Sequence, residues 1–182
     1  MANALHPPAA AGRDQAWKAD LTTQSGIRLF VRPARASNKA ALTEFFRNLS
    51  PEDRRLRFRD ADNVGEAEVA AMLAPGDRVM TFLAFDEARR LIACCSLFDE
   101  PDGETAEVTL SVGPDWKDKG VSWTLLEHAL AYAKAHGLKC VRSIERGDDR
   151  DAINLEHEMG FVARLLCADP VEVSLCKFID QD

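Results

Sequence analysis

The residues best suited to chemistry lie close together in the chain. In AEVTLSV, residues 106–112, an extended backbone puts Ala106, Val108, Leu110 and Val112 on one face and Glu107, Thr109 and Ser111 on the other. A carboxylate and two hydroxyls in line suit the wall of a cleft better than a sealed core. Such a glutamate can take a proton directly or through a water. Just downstream, Lys117, Asp118, Lys119, Gly120, Val121 and Ser122 form a tight loop. The loop opens a long amphipathic stretch that stops at His136–Gly137. A helix start offers unpaired N–H groups and partial positive charge. A glycine there lets the backbone close on a phosphate. Lys117 and Lys119 add to that charge and Asp118 opposes it. On these residues alone, an anion cradle and an ordinary strand-to-helix turn both stay open.

The elements that must position these groups follow from periodicity. IRLFVRPA (27–34) reads as a strand. SNKAALTEFFRNL reads as a helix, with Ser37 as N-cap and Ala41, Leu42, Phe45, Phe46 and Leu49 on one face. In SPEDRRLRFRD, Ser50 caps, Pro51 takes the first helical position and Asp53 completes the cap. A short acidic helix, GEAEVAAML, stops at Pro75–Gly76. RVMTFLAF, RRLIACCSLF and AEVTLSV follow, joined by short connectors, as an antiparallel meander. Then come a helix over 119–136, the strand KCVRSIE, the helix RDAINLEHEM and the strands FVARLLCA and VEVSLCKF. This order predicts an α/β layered fold, with a mixed, mostly antiparallel sheet and helices on both faces. The segment from Glu107 to Ile144 should be a right-handed parallel crossover.

With 182 residues the chain fits one domain, expected over 21–182 behind a loosely ordered tail over 1–20. The net charge of -7 argues against a nucleic-acid binder and is compatible with a cationic substrate such as an amine. No stretch approaches the ~20 apolar residues of a membrane span. The N-terminus lacks the basic start and apolar block of a secretory signal, so a cytoplasmic location is expected. Cys94, Cys95, Cys140, Cys167 and Cys176 form no CxxC pair and read as buried small hydrophobes in a reducing compartment. No metal-ligand spacing is present, so no metal is expected. The cluster Arg54, Arg55, Arg57 and Arg59 reads as a solvated helix face. Its alternative role is to meet a phosphate or an acidic substrate. Trp116 and Trp123 read as packing anchors.

Set in this order of elements, two motifs resemble those of the GNAT superfamily of acyl-CoA-dependent N-acyltransferases. Lys117 to Ser122 falls in the frame R/Q-x-x-G-x-G/A, with Lys117 and Ser122 departing from it. Asp149 to Phe161, DRDAINLEHEMGF, matches N-x-x-A-x-x-L-Y-x-x-x-G-F at Ala152, Leu155, Gly160 and Phe161. The resemblance spans about Leu21 to Phe178. The segment from Ile27 to Phe58 is similar to the GNAT domain of bacterial protein-lysine acetyltransferases.

The resemblance implies that acetyl-CoA is co-substrate and a primary amine, on a protein lysine or a small molecule, is acceptor. It implies Glu107 as general base. Backbone groups of Leu110, Ser111 and Val112 would polarise the thioester and pair with the pantetheine arm. Residues 117–122, with Asp149, would contact the rest of the cofactor. Asp149 replaces the usual asparagine and, when ionised, cannot donate. The tyrosine that often protonates the leaving thiolate is replaced by Glu156, and the only tyrosine of the chain is Tyr132. The neighbouring His157 reads as a surface residue. These departures keep a second reading in play, a non-catalytic acyl-CoA binding or sensing module. A homodimer is compatible with the sequence but not specified by it.

Overall fold

The computed structural model describes residues 16–58, 66–74, 78–168 and 170–180. Its strands are β1 (Ala19–Thr22), β2 (Arg28–Pro33), β3 (Val79–Phe85), β4 (Leu91–Asp99), β5 (Thr105–Val112), β6 (Cys140–Arg146), β7 (Val162–Ala168) and β8 (Val171–Phe178). The helices are α1 (Lys39–Arg47), α2 (Pro51–Arg57), α3 (Glu66–Met72), α4 (Val121–Ala135) and α5 (Arg150–Glu158). One sheet runs in the order β1-β2-β3-β4-β5-β6-β8-β7. Its neighbours are antiparallel except β5 and β6, which are parallel. The mixed sheet and the parallel crossover through α4 are therefore as expected.

Strand alternation builds a core on each face of the sheet. Phe82, Ala84, Cys95, Leu97, Ala106 and Val108 pack with α4 through Val121, Leu125, Leu126 and Ala129. Ile153 and Met159 bring α5 to the same face. Leu83 and Cys94 turn the other way, against Leu42, Phe45 and Phe46 of α1 and Val69 and Met72 of α3. Ser50 caps α2 as expected, accepting from Asp53 N at 3.1 Å. Ser37 does not cap α1. A 3-10 turn over Ala36–Asn38 comes first, and Asn38 Oδ1 accepts from Arg35 N at 2.9 Å. The long helix starts at Val121, not Lys119, because Gly120 at φ 76° is still left-handed.

The boundary expected at residue 20 falls inside β1, which pairs with β2 from Ala19↔Val31 to Thr22↔Arg28. ADLT is too short for its alternation to register as a strand signal. Ahead of it, Trp17 lies edge-on to Tyr132 at 5.1 Å and to His128 at 5.8 Å between ring centroids. The earlier residues of the expected tail, together with Arg59 and the Pro75–Gly76 stop, lie outside the described residues.

The cysteines do not behave uniformly. Cys94 and Cys95 are buried as expected, and burial pushes both thiols up, Cys94 to about 12. Cys167 is exposed. Cys140 and Cys176 are joined by a disulfide, with Cα atoms 6.4 Å apart. The register pairs Cys140 with Phe178 and Arg142 with Cys176, so the two cysteines sit diagonally on neighbouring strands. Neighbours a strand apart but 36 residues apart in sequence give no local signal.

Trp17→Ala is expected to lower the unfolding free energy by about 2 kcal/mol, the scale for losing a half-buried aromatic. Urea denaturation measures it, and an unchanged midpoint would mean that the segment before β1 contributes nothing to the fold.

Candidate active site

The pairing of β5 with β6 lasts only three rungs, Thr105↔Cys140, Ala106↔Val141 and Glu107↔Arg142. Beyond them β5 stays bonded to β4 as far as Val112↔Ala93. β6 stays bonded to β8 as far as Arg146↔Glu172. Each strand keeps its outer partner, so the two must part, and an opening forms between them. The backbone groups of residues 108–112 that face away from β4 have no strand partner among the described residues. The predicted contacts at Leu110, Ser111 and Val112 therefore line one wall of this opening.

Glu107 stands on the last rung before the strands part. Its carboxylate is half exposed and lies 3.9 Å from Arg142 Nη2, which also meets Glu100 at 2.5 Å. On the same face of β5, Thr109 Oγ1 accepts from Arg57 Nη2 at 3.2 Å. The Arg57 guanidinium also sits over the rings of Phe58 at 5.4 Å and Phe46 at 5.9 Å. The solvated face expected for the arginine cluster therefore fails at Arg57, which the end of α2 turns inward onto β5. Arg55 is exposed, and Arg54 donates to the Arg47 carbonyl at 3.4 Å.

The loop leading to α4 is sharply turned. Asp118 has φ 57° and Gly120 φ 76°. Aspartate tolerates this left-handed region better than most residues. The turn between β1 and β2 supports the loop from below: Ser25 Oγ donates to the Lys119 carbonyl at 2.7 Å. A Cβ at Gly120 would come within 3.4 Å of Thr23 Cβ. Val121 is buried and Ser122 half-buried, in the first turn of α4. Lys119 Nζ donates to the Asp115 carbonyl at 2.6 Å and lies 5.4 Å over the Trp116 ring. Lys117 Nζ is paired with Asp53 Oδ1 of α2 at 2.5 Å. The loop thus presents a helix start whose first-turn amides lack intrahelical acceptors. Its two lysines already have partners.

Asp149 caps α5, its Oδ1 accepting from Ala152 N at 3.1 Å. Burial raises its carboxyl above the usual range, while that bond and the nearby Lys117 pull it down. The start of α5 therefore lies beside the α4 loop, as the two motifs require. At the other end Phe161 N donates to the Glu156 carbonyl at 2.9 Å, and Gly160 at φ 85° makes the left-handed stop. Phe161 is buried in the core. His157 is exposed, as expected. Trp116 packs against the core as an anchor, and Trp123 is half-buried. Tyr132 is taken up by the aromatic cluster of Trp17, Phe82 and His136.

Two carboxyl groups that burial raises lie in this region, Glu156, which stands at the motif's tyrosine position, and Glu145, which the sequence reading passed over. Glu156 is buried at 6% exposure, and its Oε2 accepts a hydrogen bond from Ser143 Oγ of β6. Burial raises it to about 7 against the pull of that bond, and Asp149 adds to the rise. Two residues beyond Ser143 on the same face of β6, Glu145 is pushed up to about 8, first by burial and then by the charges of Glu156 and Asp149. The alternation Val141, Ser143, Glu145 could have flagged it, since it puts a carboxyl on the inward face of an inner strand.

A separate depression, lined by Lys18, Phe30, Arg32, Phe85 and Arg89, lies at the β1–β3 end of the sheet. Among the described residues no cluster of three or more His, Cys, Asp or Glu could hold a metal ion. None of the described helices is long and apolar enough to cross a membrane.

Residues 39–161, well over half of the chain, match the acetyltransferase (GNAT) family. The chain belongs to that family and is a GNAT-type N-acetyltransferase. Among solved structures, the GNAT domain of S. lividans PAT superposes with a TM-score of 0.81 at 21% identity, covering 95% of this chain and 99% of that one. Spermidine N-acetyltransferase from Vibrio cholerae, solved with CoA and spermine, gives 0.67 at 18%, covering 83% and 95%. The ribosomal-protein-S18-alanine N-acetyltransferase from Escherichia coli gives 0.65 at 17%, covering 84% and 94%. At these identities the likeness is one of fold.

The raised carboxyls set a pH dependence of stability. Glu156 holds its proton up to about 7 in the folded chain and near 4.5 unfolded. The folded state then binds more protons between these values, so stability falls as pH rises from about 4.5 to 7. A shift of about 2.5 units corresponds to roughly 3 kcal/mol at most. Glu156→Gln keeps an acceptor for Ser143 and removes the charge. It is expected to match wild type at pH 4.5 and to exceed it in urea midpoint at pH 8. Equal midpoints at pH 8 would contradict the assigned burial.

Proposed function

We propose that this enzyme transfers an acetyl group from acetyl-CoA to a primary amine by direct attack, with Glu107 as general base. The observation that carries the reading is the parting of β5 from β6 immediately after Glu107. It exposes unpaired backbone groups beside a carboxylate, and β5 then leads into the α4 start. In this reading residues 117–122 receive the pyrophosphate at the α4 amides, with Gly120 providing the close approach. Backbone groups at Leu110 to Val112 hold the pantetheine arm and polarise the thioester carbonyl. Glu107 takes the proton of the incoming ammonium, directly or through a water. Arg142 lies 3.9 Å from that carboxylate and fixes its place at the mouth of the opening.

The acceptor is a protein lysine or a small amine. The similarity in fold to a protein acetyltransferase domain over almost the whole chain supports the first. The similarity to a spermidine acetyltransferase supports the second. The net charge of -7 agrees with a cationic acceptor of either kind. We place the reaction in the cytoplasm, where acetyl-CoA is made and used.

A second reading, an acyl-CoA binding or sensing module, draws on two observations. Lys117 is engaged by Asp53, and Asp149 is engaged as a helix cap. A Glu107→Gln variant separates the two. The enzyme reading expects turnover on an amine panel to fall by about 10²-fold or more, the scale of lost general-base catalysis. The calorimetric Kd for acetyl-CoA should stay within about threefold. Wild-type turnover unaffected by the substitution would remove Glu107 as base. Tight acetyl-CoA binding by a wild type that turns over no amine would favour the sensor.

Acetyl-CoA at 100 times its Kd is expected to stabilise the fold by about 2.7 kcal/mol. A thermal shift assay reads this as a rise in Tm. No shift at millimolar acetyl-CoA would count against both readings.

A further inference from the structure

Arg57 has no role in the mechanism above, yet it stands beside the reacting groups. Glu107 and Thr109 share one face of β5, about 7 Å apart along the strand. Arg57 Nη2 donates to Thr109 Oγ1 at 3.2 Å, so its guanidinium lies over β5 just past the rung where β6 departs. Two contacts fix α2 against this part of the molecule. Asp53 meets Lys117 of the α4 loop, and Arg57, one helical turn further on, meets Thr109. In the acetyl-transfer reading the first contact lies at the phosphate end of the cofactor and the second beside the acyl end.

The cations around the opening differ in their partners. Arg142 is taken by Glu100 at 2.5 Å, Lys117 by Asp53, and Lys119 by the Asp115 carbonyl. Arg57 forms no ion pair with a described carboxylate. Besides Thr109 it meets Met72 Sδ at 3.9 Å. Its guanidinium rests over the rings of Phe58 at 5.4 Å and Phe46 at 5.9 Å, both buried. Two rings and a hydroxyl hold the plane of the fork, and the side chain stays half-buried, within reach of a solute. A structural arginine in a last helical turn serves the helix carbonyls or points to water. Arg57 is instead turned inward, onto the strand that carries Glu107. A guanidinium held in this way presents paired N–H donors to a carboxylate with little ordering left to do.

We propose that Arg57 binds a carboxylate on the acceptor, so that the substrate is an amino acid or a similar small amino carboxylate. The proposal rests on the acetyl-transfer reading of the same site. Glu107 takes the proton of the ammonium while Arg57 holds the carboxylate through its remaining N–H donors, and Thr109 keeps the fork in place. A polyamine would bring a second ammonium towards the like charge of the guanidinium, and a plain amine would leave that charge without a partner.

The test compares each amino acid with the amine that remains when its carboxylate is replaced by hydrogen. Phenylalanine is set against phenethylamine, histidine against histamine, lysine against cadaverine, and so on through the common amino acids. Each kcat/KM is expressed per unprotonated amine, so that basicity cancels. Wild type is expected to favour at least one amino acid over its partner by roughly 10- to 100-fold, the scale of a hydrogen bond to a charged group. Arg57→Gln should lose most of that preference. Arg57→Lys, which keeps the charge without the fork, should retain part of it. The ratio cancels any general loss of activity in a variant. Ratios near or below 1 for every pair in wild type would overturn the proposal. So would a higher kcat/KM for an end-blocked lysine peptide or for spermidine than for any amino acid, or a preference that Arg57→Gln leaves intact. The wild-type ratios decide the matter even where the glutamine variant fails to fold. Turnover of amines without a preference for the carboxylate sinks only the role of Arg57. Absence of turnover on every amine sinks the acetyl-transfer reading, and this proposal with it.

Discussion

The structure turns on a conflict of partners at the centre of the sheet. β5 is bonded to β4 from Ala106 to Val112 and β6 to β8 from Cys140 to Arg146, and these two halves diverge after Glu107 and Arg142. A sheet normally closes such a gap, because unpaired backbone groups are costly when buried. Here they have no strand partner among the described residues, in a position that a ligand's amides and carbonyls can satisfy. Glu107 stands on the last rung before the gap, Arg57 bonds to Thr109 on the same face of β5, and β5 then leads to the α4 start.

Charge is distributed across the gap with equal purpose. On the side of α1–α3, Glu107 has Arg142 near it and Arg57 two residues along the strand. On the side of α5, burial raises both inward carboxyls, Glu145 and Glu156. The burial of Glu156 explains why the fold is expected to lose stability as pH rises towards neutrality.

Much of the frame was legible in the chain. Strand alternation and helix caps placed the meander, α2, α4 and α5, because these elements bury one regular face and end on Ser, Gly or Pro signals. The glutamate–hydroxyl face of β5 was legible for the same reason. What escaped were features created by tertiary neighbours. Arg57 reads as one of several surface arginines until the phenylalanines of α1 and α2 are seen to hold it over β5. The ion pair of Lys117 with Asp53 joins residues 64 apart and has no local signal. β1 is too short to be periodic. The Cys140–Cys176 bond depends on a register that no local pattern encodes. Glu145 was visible in principle, and its strand was read without asking which way that carboxyl pointed.

The central claim is that the opening between β5 and β6, continued to the α4 start, is where acetyl-CoA lies. Amide hydrogen exchange with and without CoA tests it residue by residue. The account predicts new protection at residues 108–112 and at residues 120–123, with no change at Lys18, Phe30 and Arg89 in the depression at the β1–β3 end. Protection confined to that depression, with residues 108–112 exchanging as before, would contradict it.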